Sequence, residues 1–413
     1  MTKTEIFDDI VSVVKVDASF CKDKRGGDES KYRALISEDM GDDMFVRVIC
    51  TYLATFECPG HLSFYNKGRS LRAGIEVRRY GDELYVTRSF IDEIKVGDRI
   101  VALDGLALPQ AAKKYEELLY GETEDRQGQY WAKIIAYSKE VTVVSGDKKF
   151  IYPVRTDVKV TYRQPYEFKM IDGVAYLRFD DFIDEKGICE LLSNNKQQIE
   201  SDCLIIDVRE NIGGTDTAWL PLLKYCIAED EDINSSAMDD NDEVNYTERN
   251  VDIRLKVLKE YREKANPETK QHFDLVIQDL INHRGMGFVK MADNSEPQKF
   301  EGSAIPKMVF VLSDCTCASS GESFIMAIKG LKKVTVIGRP TMGILDYSNL
   351  AYVDYGAYVL NYPTSRSLSV DSGNGINKKG VGVDYFIPWT PEFLHNDIDL
   401  QIALNMAKDN RNK

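Results

Sequence analysis

Long apolar stretches and dense clusters of basic residues are both missing from this sequence of 413 residues. A helix that crosses a bilayer needs about 20 consecutive apolar residues, so we expect no transmembrane segment. A nucleic-acid-binding face needs clustered Lys and Arg, so we expect no nucleic-acid partner. The 67 acidic residues outnumber the 53 basic ones, and the net charge of −14 would also repel anionic membranes.

Metal-binding patterns and export signals are missing as well. Eight cysteines are scattered along the chain, and the C-x-C pair of Cys315 and Cys317 has no second Cys/His pair at zinc spacing. We therefore expect no metal site, and reduced, buried thiols of a cytosolic protein. The first residues, MTKTEIFDDIVSVV, contain no apolar signal-peptide region, which predicts a cytoplasmic location. A removed signal peptide would leave no trace in this numbering, so a periplasmic or exported protein is the alternative.

Hydrophobic residues make up 43% of the chain, and changes in their spacing divide it into three predicted parts. Residues 1–65 carry apolar residues three and four apart, which predicts helices that end before Pro59 and Gly60. Residues 66–160 alternate apolar and polar residues around Gly-Asp turns, which predicts a β-rich domain. Residues 161–413 alternate strands and helices, which predicts an α/β core with a charged helical insertion at about 228–300.

The β-rich part resembles a PDZ domain in two stretches. The sequence VGDRIVALDG (96–105) is the most similar piece, and Arg72-Ala73-Gly74-Ile75 matches the loop that receives the C-terminal carboxylate of a peptide. Glycine suits such a loop because backbone N–H groups must approach the anion closely. The resemblance implies that Gly74 and Ile75 bind peptide C-termini.

A serine at a strand-to-helix junction is the first candidate for chemistry. In VFVLSDCTCASSGESFIMAIKG (309–330) an apolar strand is followed by small residues, by Ser319 and by an amphipathic helix. A hydroxyl at a helix N-terminus lies near free N–H groups that can stabilise an oxyanion. Ser-Ser-Gly-Glu is also a common helix-capping pattern, so an ordinary N-cap at Ser319 is the alternative.

A second candidate follows another buried strand. In LIIDVRENIGGTD (204–216) the apolar residues are followed directly by Asp207, Arg209, Asn211 and the Gly213-Gly214 pair. Open α/β sheets bind ligands at the carboxyl ends of their strands, and paired glycines can direct backbone N–H groups into a site. A plain tight turn is the alternative.

Together, these two motifs resemble the tail-specific (C-terminal processing) serine proteases, whose core has the crotonase/ClpP-like α/β fold. VIGRPTMG (336–343) and KKGVGVDYFIP (378–388) are similar to two later motifs of the same family. The resemblance implies that Ser319 is the nucleophile. It also implies that one oxyanion N–H group comes from Gly213 or Gly214 and the other from Ser320. No metal and no organic cofactor are implied, and the partners would be protein or peptide substrates.

The sequence departs from this family at the general base. Many members carry a lysine directly after G-x-P-T-x-G, but Ile344 stands there and cannot accept a proton. The tricorn-like branch of the family uses a histidine that precedes the PDZ-like domain, and His61 matches that position. His61 is therefore the predicted base, with a structural histidine as the alternative. The orienting Glu of that branch corresponds to Asn377, whose amide oxygen can accept an imidazole N–H.

The predicted function is hydrolysis of peptide bonds in unstructured proteins or peptides through an acyl-enzyme. A non-catalytic, PDZ-containing peptide-binding scaffold is the alternative, because the lysine is missing and Asn377 stands in place of Glu. Acyl-thioester chemistry on the crotonase-like core is a third reading, which the PDZ-like insert and the serine motif disfavour. The sequence predicts no particular oligomeric state.

Overall fold

The computed structural model describes residues 1–58, 60–69, 71–119, 123–231, 233–234, 242–264, 267–290 and 299–411. The chain divides into two compact units, each assembled from segments that are far apart in the sequence. Unit 1 consists of Met1–Ser70, Asp240–Asn294 and Asp346–Gly375. Unit 2 consists of Leu71–Asp239, Ser295–Leu345 and Ile376–Lys413.

The regular elements of the described residues are as follows. The strands, in chain order, are β1 (Ser63–Asn66), β2 (Ile75–Tyr80), β3 (Glu83–Ser89), β4 (Arg99–Leu103), β5 (Leu106–Ala107), β6 (Glu140–Ser145), β7 (Lys148–Pro153), β8 (Tyr166–Ile171), β9 (Val174–Phe179), β10 (Cys203–Asp207), β11 (Ile233–Asn234), β12 (Asp242–Tyr246), β13 (Gly287–Lys290), β14 (Lys299–Phe300), β15 (Met308–Ser313), β16 (Val334–Gly338), β17 (Tyr347–Asp354), β18 (Tyr358–Ser367) and β19 (Tyr385–Phe386). The α-helices are α1 (Lys3–Ser12), α2 (Glu29–Arg33), α3 (Asp42–Ala54), α4 (Leu108–Lys114), α5 (Gly128–Tyr137), α6 (Glu185–Asn194), α7 (Lys196–Ile199), α8 (Asp216–Cys226), α9 (Glu248–Lys264), α10 (Pro267–His283), α11 (Ser320–Ile328) and α12 (Ile398–Arg411). Within this part of the chain, no helix combines the length and the apolar character that a membrane crossing requires.

Unit 1 is an antiparallel sheet covered by the N-terminal helices. In this sheet β18 pairs with β1, β12 and β17, and β13 pairs with β12. The first helix begins with a capping box, in which Thr2 and Glu5 exchange hydrogen bonds. The apolar faces of α1 and α3 pack on β17 and β18, and the rings of Phe45 and Tyr358 meet edge to face at 5.2 Å. This core anchors both ends of the loop that carries His61, because the loop joins α3 to β1.

The predicted helical insertion at 228–300 contains the long helices α9 and α10. Its residues 232, 235–241, 265–266 and 291–298 lie outside the described part of the chain. The same segment also contributes β12 and β13, which extend the sheet of unit 1. These short strands give no periodic signal in the sequence, because they are stabilised by pairing: β13 pairs with β12, and β12 pairs with β18, more than 100 residues further along the chain.

The core of unit 2 is a six-stranded sheet with the order β19-β16-β15-β10-β9-β8. Neighbouring strands are parallel except β8, which pairs antiparallel with β9. Every residue of β10 is buried, as expected for a parallel strand covered on both faces. Helices α8 and α11 cover one face, and α12 covers the other. The carboxyl ends of β10 and β15 therefore lie side by side, and the segments that carry Gly213 and Ser319 both start there.

A second sheet in unit 2 has the order β2-β3-β4-β6-β7, with β5 paired to β4. Helix α5 packs beside β2, and its Trp131 is completely buried. The mixed α/β fold predicted from the sequence is confirmed. The likeness of the second sheet to a PDZ domain and the division of the chain into three parts stay predictions.

Candidate active site

Ser319 occupies a strained turn between β15 and α11. Its backbone has φ 53° and ψ −121°, a conformation that a residue other than glycine adopts at a cost of about 1–3 kcal/mol. The turn is pressed against the glycine pair after β10, since a Cβ on Gly213 would lie 2.7 Å from the Ser319 Cβ. The two motifs that the sequence singled out are therefore in direct contact.

The backbone N–H groups around Ser319 differ in whether they already donate a hydrogen bond. The Gly213 N–H donates to Asn211 Oδ1 at 2.9 Å. Among the described residues, the N–H groups of Gly214 and Ser320 have no acceptor. Gly214 must be glycine, because a Cβ there would lie 2.1 Å from the carbonyl oxygen of Phe182. Of the two glycines predicted to supply an oxyanion donor, Gly214 is the one whose N–H has no acceptor within the described part of the chain.

Asn211 joins the two turns, a role that sequence reasoning did not assign to it. Its side chain is fully buried and, besides accepting from Gly213, donates to the Phe179 carbonyl at 3.1 Å. Its own carbonyl accepts the Ala318 N–H at 2.8 Å. The glycine turn and the residue before Ser319 are thus fixed to a single amide residue. The available signal was a polar residue placed between a buried strand and a glycine pair.

Glu322 is a buried carboxylate that accepts hydrogen bonds from four donors, one of which is the Ser319 N–H. Its Oε1 accepts from the Thr341 hydroxyl and the Gly343 N–H, both at 2.6 Å. Its Oε2 accepts the N–H groups of Ile344 at 2.9 Å and Ser319 at 3.3 Å. Burial raises the pKa of the Glu322 carboxyl above its usual range, although these hydrogen bonds oppose the shift. Glu322 therefore ties the backbone of Ser319 to the segment after β16.

The start of the loop before Ser319 is held by buried ion pairs. Asp314 accepts from Arg78 at 2.7 and 3.1 Å and from Arg339 at 2.8 Å, and Arg339 also binds Asp399. Burial alone would raise the pKa of Asp314, but the two guanidinium groups outweigh it and hold the pKa well below its usual range. Asp314 also accepts the N–H of Cys315 at 2.7 Å. Since Arg78 lies on β2, this carboxylate connects the second sheet to the serine loop.

His61 is a buried histidine of unit 1 with a defined hydrogen bond. Its Nδ1 lies 2.5 Å from the carbonyl oxygen of Tyr347. A carbonyl only accepts, so Nδ1 carries the proton and Nε2 keeps its lone pair in the neutral ring. The Tyr347 side chain is held in place, because its hydroxyl donates to Asp23 at 3.0 Å and the Asp23 carboxylate accepts two hydrogen bonds from Arg366.

The remaining predicted residues lie in two places. Asn377 belongs to a turn of unit 2 whose backbone packs on Gly343, with the Lys378 N–H donating to the Gly343 carbonyl at 3.0 Å. Gly74 precedes β2; its carbonyl accepts the Phe90 N–H at 2.8 Å. Ile75 begins β2 and is buried. The structure thus brings Ser319, Ser320, Gly213 and Gly214 together, and it places Gly74 and Ile75 at the edge of the second sheet.

The chain is similar to known peptidases. The family model described as peptidase family S41 matches residues 173–387, just over half of the chain. A solved structure of mature CPAF complexed with lactacystin is similar at a TM-score of 0.66 and 12% identity, covering 98% of this chain and 97% of that one. Mature CPAF alone is similar at a TM-score of 0.63 and 12% identity, with 97% and 95% covered, and these two likenesses show a shared fold.

The family model spans β9 to β19, and so it includes both turns that meet at Ser319. The predicted resemblance to the C-terminal processing proteases is therefore confirmed. This chain belongs to peptidase family S41 and is a serine peptidase.

Proposed function

We propose that this enzyme cleaves peptide bonds in unstructured proteins or peptides through an acyl-enzyme on Ser319. The observation that carries the proposal is the strained Ser319 turn, which lies beside the N–H groups of Gly214 and Ser320, two donors with no acceptor among the residues that the structure describes. Strain of this kind persists at functional sites, where the surrounding structure holds it in place. An ordinary N-cap serine needs neither the positive φ nor the contact with a glycine pair.

The proposed reaction begins with proton transfer. His61 Nε2 removes the proton of the Ser319 hydroxyl while Oγ attacks the peptide carbonyl. The N–H groups of Gly214 and Ser320 stabilise the negative oxygen of the tetrahedral intermediate. His61 then gives the proton to the leaving amine, and a water molecule hydrolyses the ester by the same route in reverse order.

The choice of base has support from two residues. Ile344 is buried, lies where many relatives carry lysine, and cannot take a proton. The hydrogen bond of His61 to the Tyr347 carbonyl supports the tautomer that a general base requires, with Nε2 as the acceptor. In this proposal the Tyr347 carbonyl orients the ring, and Asn377 is the alternative orienter.

Labelling with a fluorophosphonate probe tests the nucleophile. Wild-type protein should be labelled on Ser319, and Ser319→Ala should lose both labelling and cleavage of unfolded casein, by up to about a millionfold in turnover. Ser323→Ala, one turn further along α11, is the matched control and should behave as wild type. If wild-type protein is not labelled by the probe and does not cleave casein, the result favours the peptide-binding scaffold.

Histidine variants test the base. His61→Ala should remove nearly as much activity as Ser319→Ala, because nucleophile and base act as a unit. His395 is exposed and lies near the C-terminus, so His395→Ala is the matched control and should keep wild-type turnover. Substantial cleavage by His61→Ala would show that another group is the base.

A further inference from the structure

Two large apolar side chains stand exposed beside the glycine pair. Ile212, directly before Gly213, is 70% exposed, and Ile183 is 66% exposed. Most isoleucines in this sheet are completely buried, among them Ile205 and Ile206 on β10. A single exposed apolar residue needs no explanation, but a pair at one place in the fold does.

The backbone keeps the two isoleucines on adjacent segments. The Ile212 N–H donates to the Asp180 carbonyl, and the Phe182 N–H donates to the Gly213 carbonyl, both at 2.9 Å. The Phe182–Ile183 peptide also passes so close to Gly214 that a Cβ there would overlap it. Residues 180–183 and 212–215 therefore run side by side, and one exposed isoleucine belongs to each segment.

The position of this pair relative to the nucleophile indicates what it contacts. Gly213 touches Ser319, and Gly214 supplies the proposed oxyanion donor. In the acyl-enzyme the carbonyl carbon is bonded to Ser319 Oγ, and its oxygen points at the glycine turn. The side chain of that acyl residue starts at its Cβ, two bonds from the carbonyl carbon, so it lies within reach of the residues that flank the turn.

We propose that Ile183 and Ile212 form an apolar platform for the side chain of the residue whose carbonyl Ser319 attacks. This inference rests on the proposed function and adds a substrate preference to it. Burying an apolar side chain on this platform removes three apolar surfaces from water, which favours cleavage after large aliphatic or aromatic residues. An acidic side chain gains nothing there, and Asp181 and Asp184, two residues before and one residue after Ile183, add negative charge to the same segment.

A matched peptide series tests the platform. The peptides differ only in the residue before the cleaved bond: Leu, Phe, Ala or Asp. Wild type should cleave the Leu and Phe peptides at least about 10-fold faster, as kcat/KM, than the Ala peptide, and the Asp peptide slowest. Ile212→Ser and Ile183→Ser should each reduce this Leu-to-Ala preference several-fold. Ile151→Ser is the control, because Ile151 is 60% exposed on β7.

Three outcomes are distinguishable. Loss of the Leu-to-Ala ratio in both variants, with normal fluorophosphonate labelling and thermal unfolding, supports the platform. A ratio equal to that of wild type in Ile212→Ser and Ile183→Ser overturns it, even though the enzyme remains an active peptidase. Wild-type protein that is neither labelled nor active overturns the proposed function itself, and the platform with it.

Discussion

Replacing Glu322 by glutamine should disable the nucleophile while leaving the fold in place. The carboxylate offers two oxygens to four donors, whereas an amide offers one oxygen and turns its N–H groups toward the other two donors. At least two buried donors then lack an acceptor, at about 1–3 kcal/mol each. Removing the buried charge returns part of this cost, since burial had raised the pKa of Glu322.

The Glu322→Gln variant should therefore lose on the order of 2–4 kcal/mol of stabilisation around this carboxylate. We expect the strained turn at Ser319 to relax first. If the whole loss is expressed in the transition state, kcat falls roughly 30- to 1,000-fold. KM for a fluorogenic peptide should change little, because the substrate surface is intact. The rate of fluorophosphonate labelling should fall in parallel with kcat.

Asp17→Asn is the control for general destabilisation. Asp17 is a buried carboxylate of unit 1 that accepts from Thr247 at 2.6 Å and is not part of the serine turn. The Asp17→Asn variant should unfold at a lower urea concentration than wild type but keep the same kcat.

Glu322 also makes the free energy of unfolding depend on pH. Because its folded-state pKa is raised, ionisation of Glu322 destabilises the fold as pH rises above about 4.5, and this decrease in stability should be missing in Glu322→Gln. Wild-type kcat in Glu322→Gln would refute the reasoning.

Three further predictions concern other parts of the molecule. Activity should rise with pH as the His61 ring loses its proton and then reach a plateau, and a pH–rate profile that stays flat from pH 5 to 8 would contradict the assignment. Asp314→Asn leaves Arg78 and Arg339 without their shared carboxylate and should cost about 3–5 kcal/mol in urea unfolding at neutral pH. Because the folded-state pKa of Asp314 lies below its ordinary 3.8, wild-type stability from this group is present above pH 3.8 and lost below it, so the gap between wild type and variant should narrow in acid. Calorimetry should detect tighter binding of a free-acid peptide than of its C-terminal amide if the loop at Gly74 receives carboxylates, and equal binding would remove that role.

The sequence predicted the parts of the site that are marked by residue type and spacing. Ser319 in a small-residue run and the glycine pair after a buried strand both stand out, and the order of these motifs along the chain indicated the family. The contact between them also follows from elementary topology, because the carboxyl ends of adjacent parallel strands meet at one edge.

The contacts of the other predicted residues depend on groups that leave no mark in the sequence. Tyr347 meets His61 through a backbone carbonyl, which every residue type carries. Glu322 was visible three residues after Ser319, but its donors at Thr341, Gly343 and Ile344 come from a segment about 20 residues further along the chain. Only the folded backbone brings such groups within hydrogen-bonding distance.

The pairing of β1 with β18 has a consequence for how the chain is made. Ser63 pairs with Asn361, so roughly 300 residues must be synthesised before this strand finds its partner. Synthesis adds about 5–20 residues per second, so the apolar faces of the N-terminal helices stay exposed for some 15–60 s before the strands that cover them are made. The segment with His61 cannot reach its final surroundings until Tyr347 and β18 have emerged from the ribosome. Under the proposed mechanism, a nascent chain therefore cannot cleave peptides for most of its synthesis. We therefore expect chaperones to bind the exposed N-terminal helices during this interval.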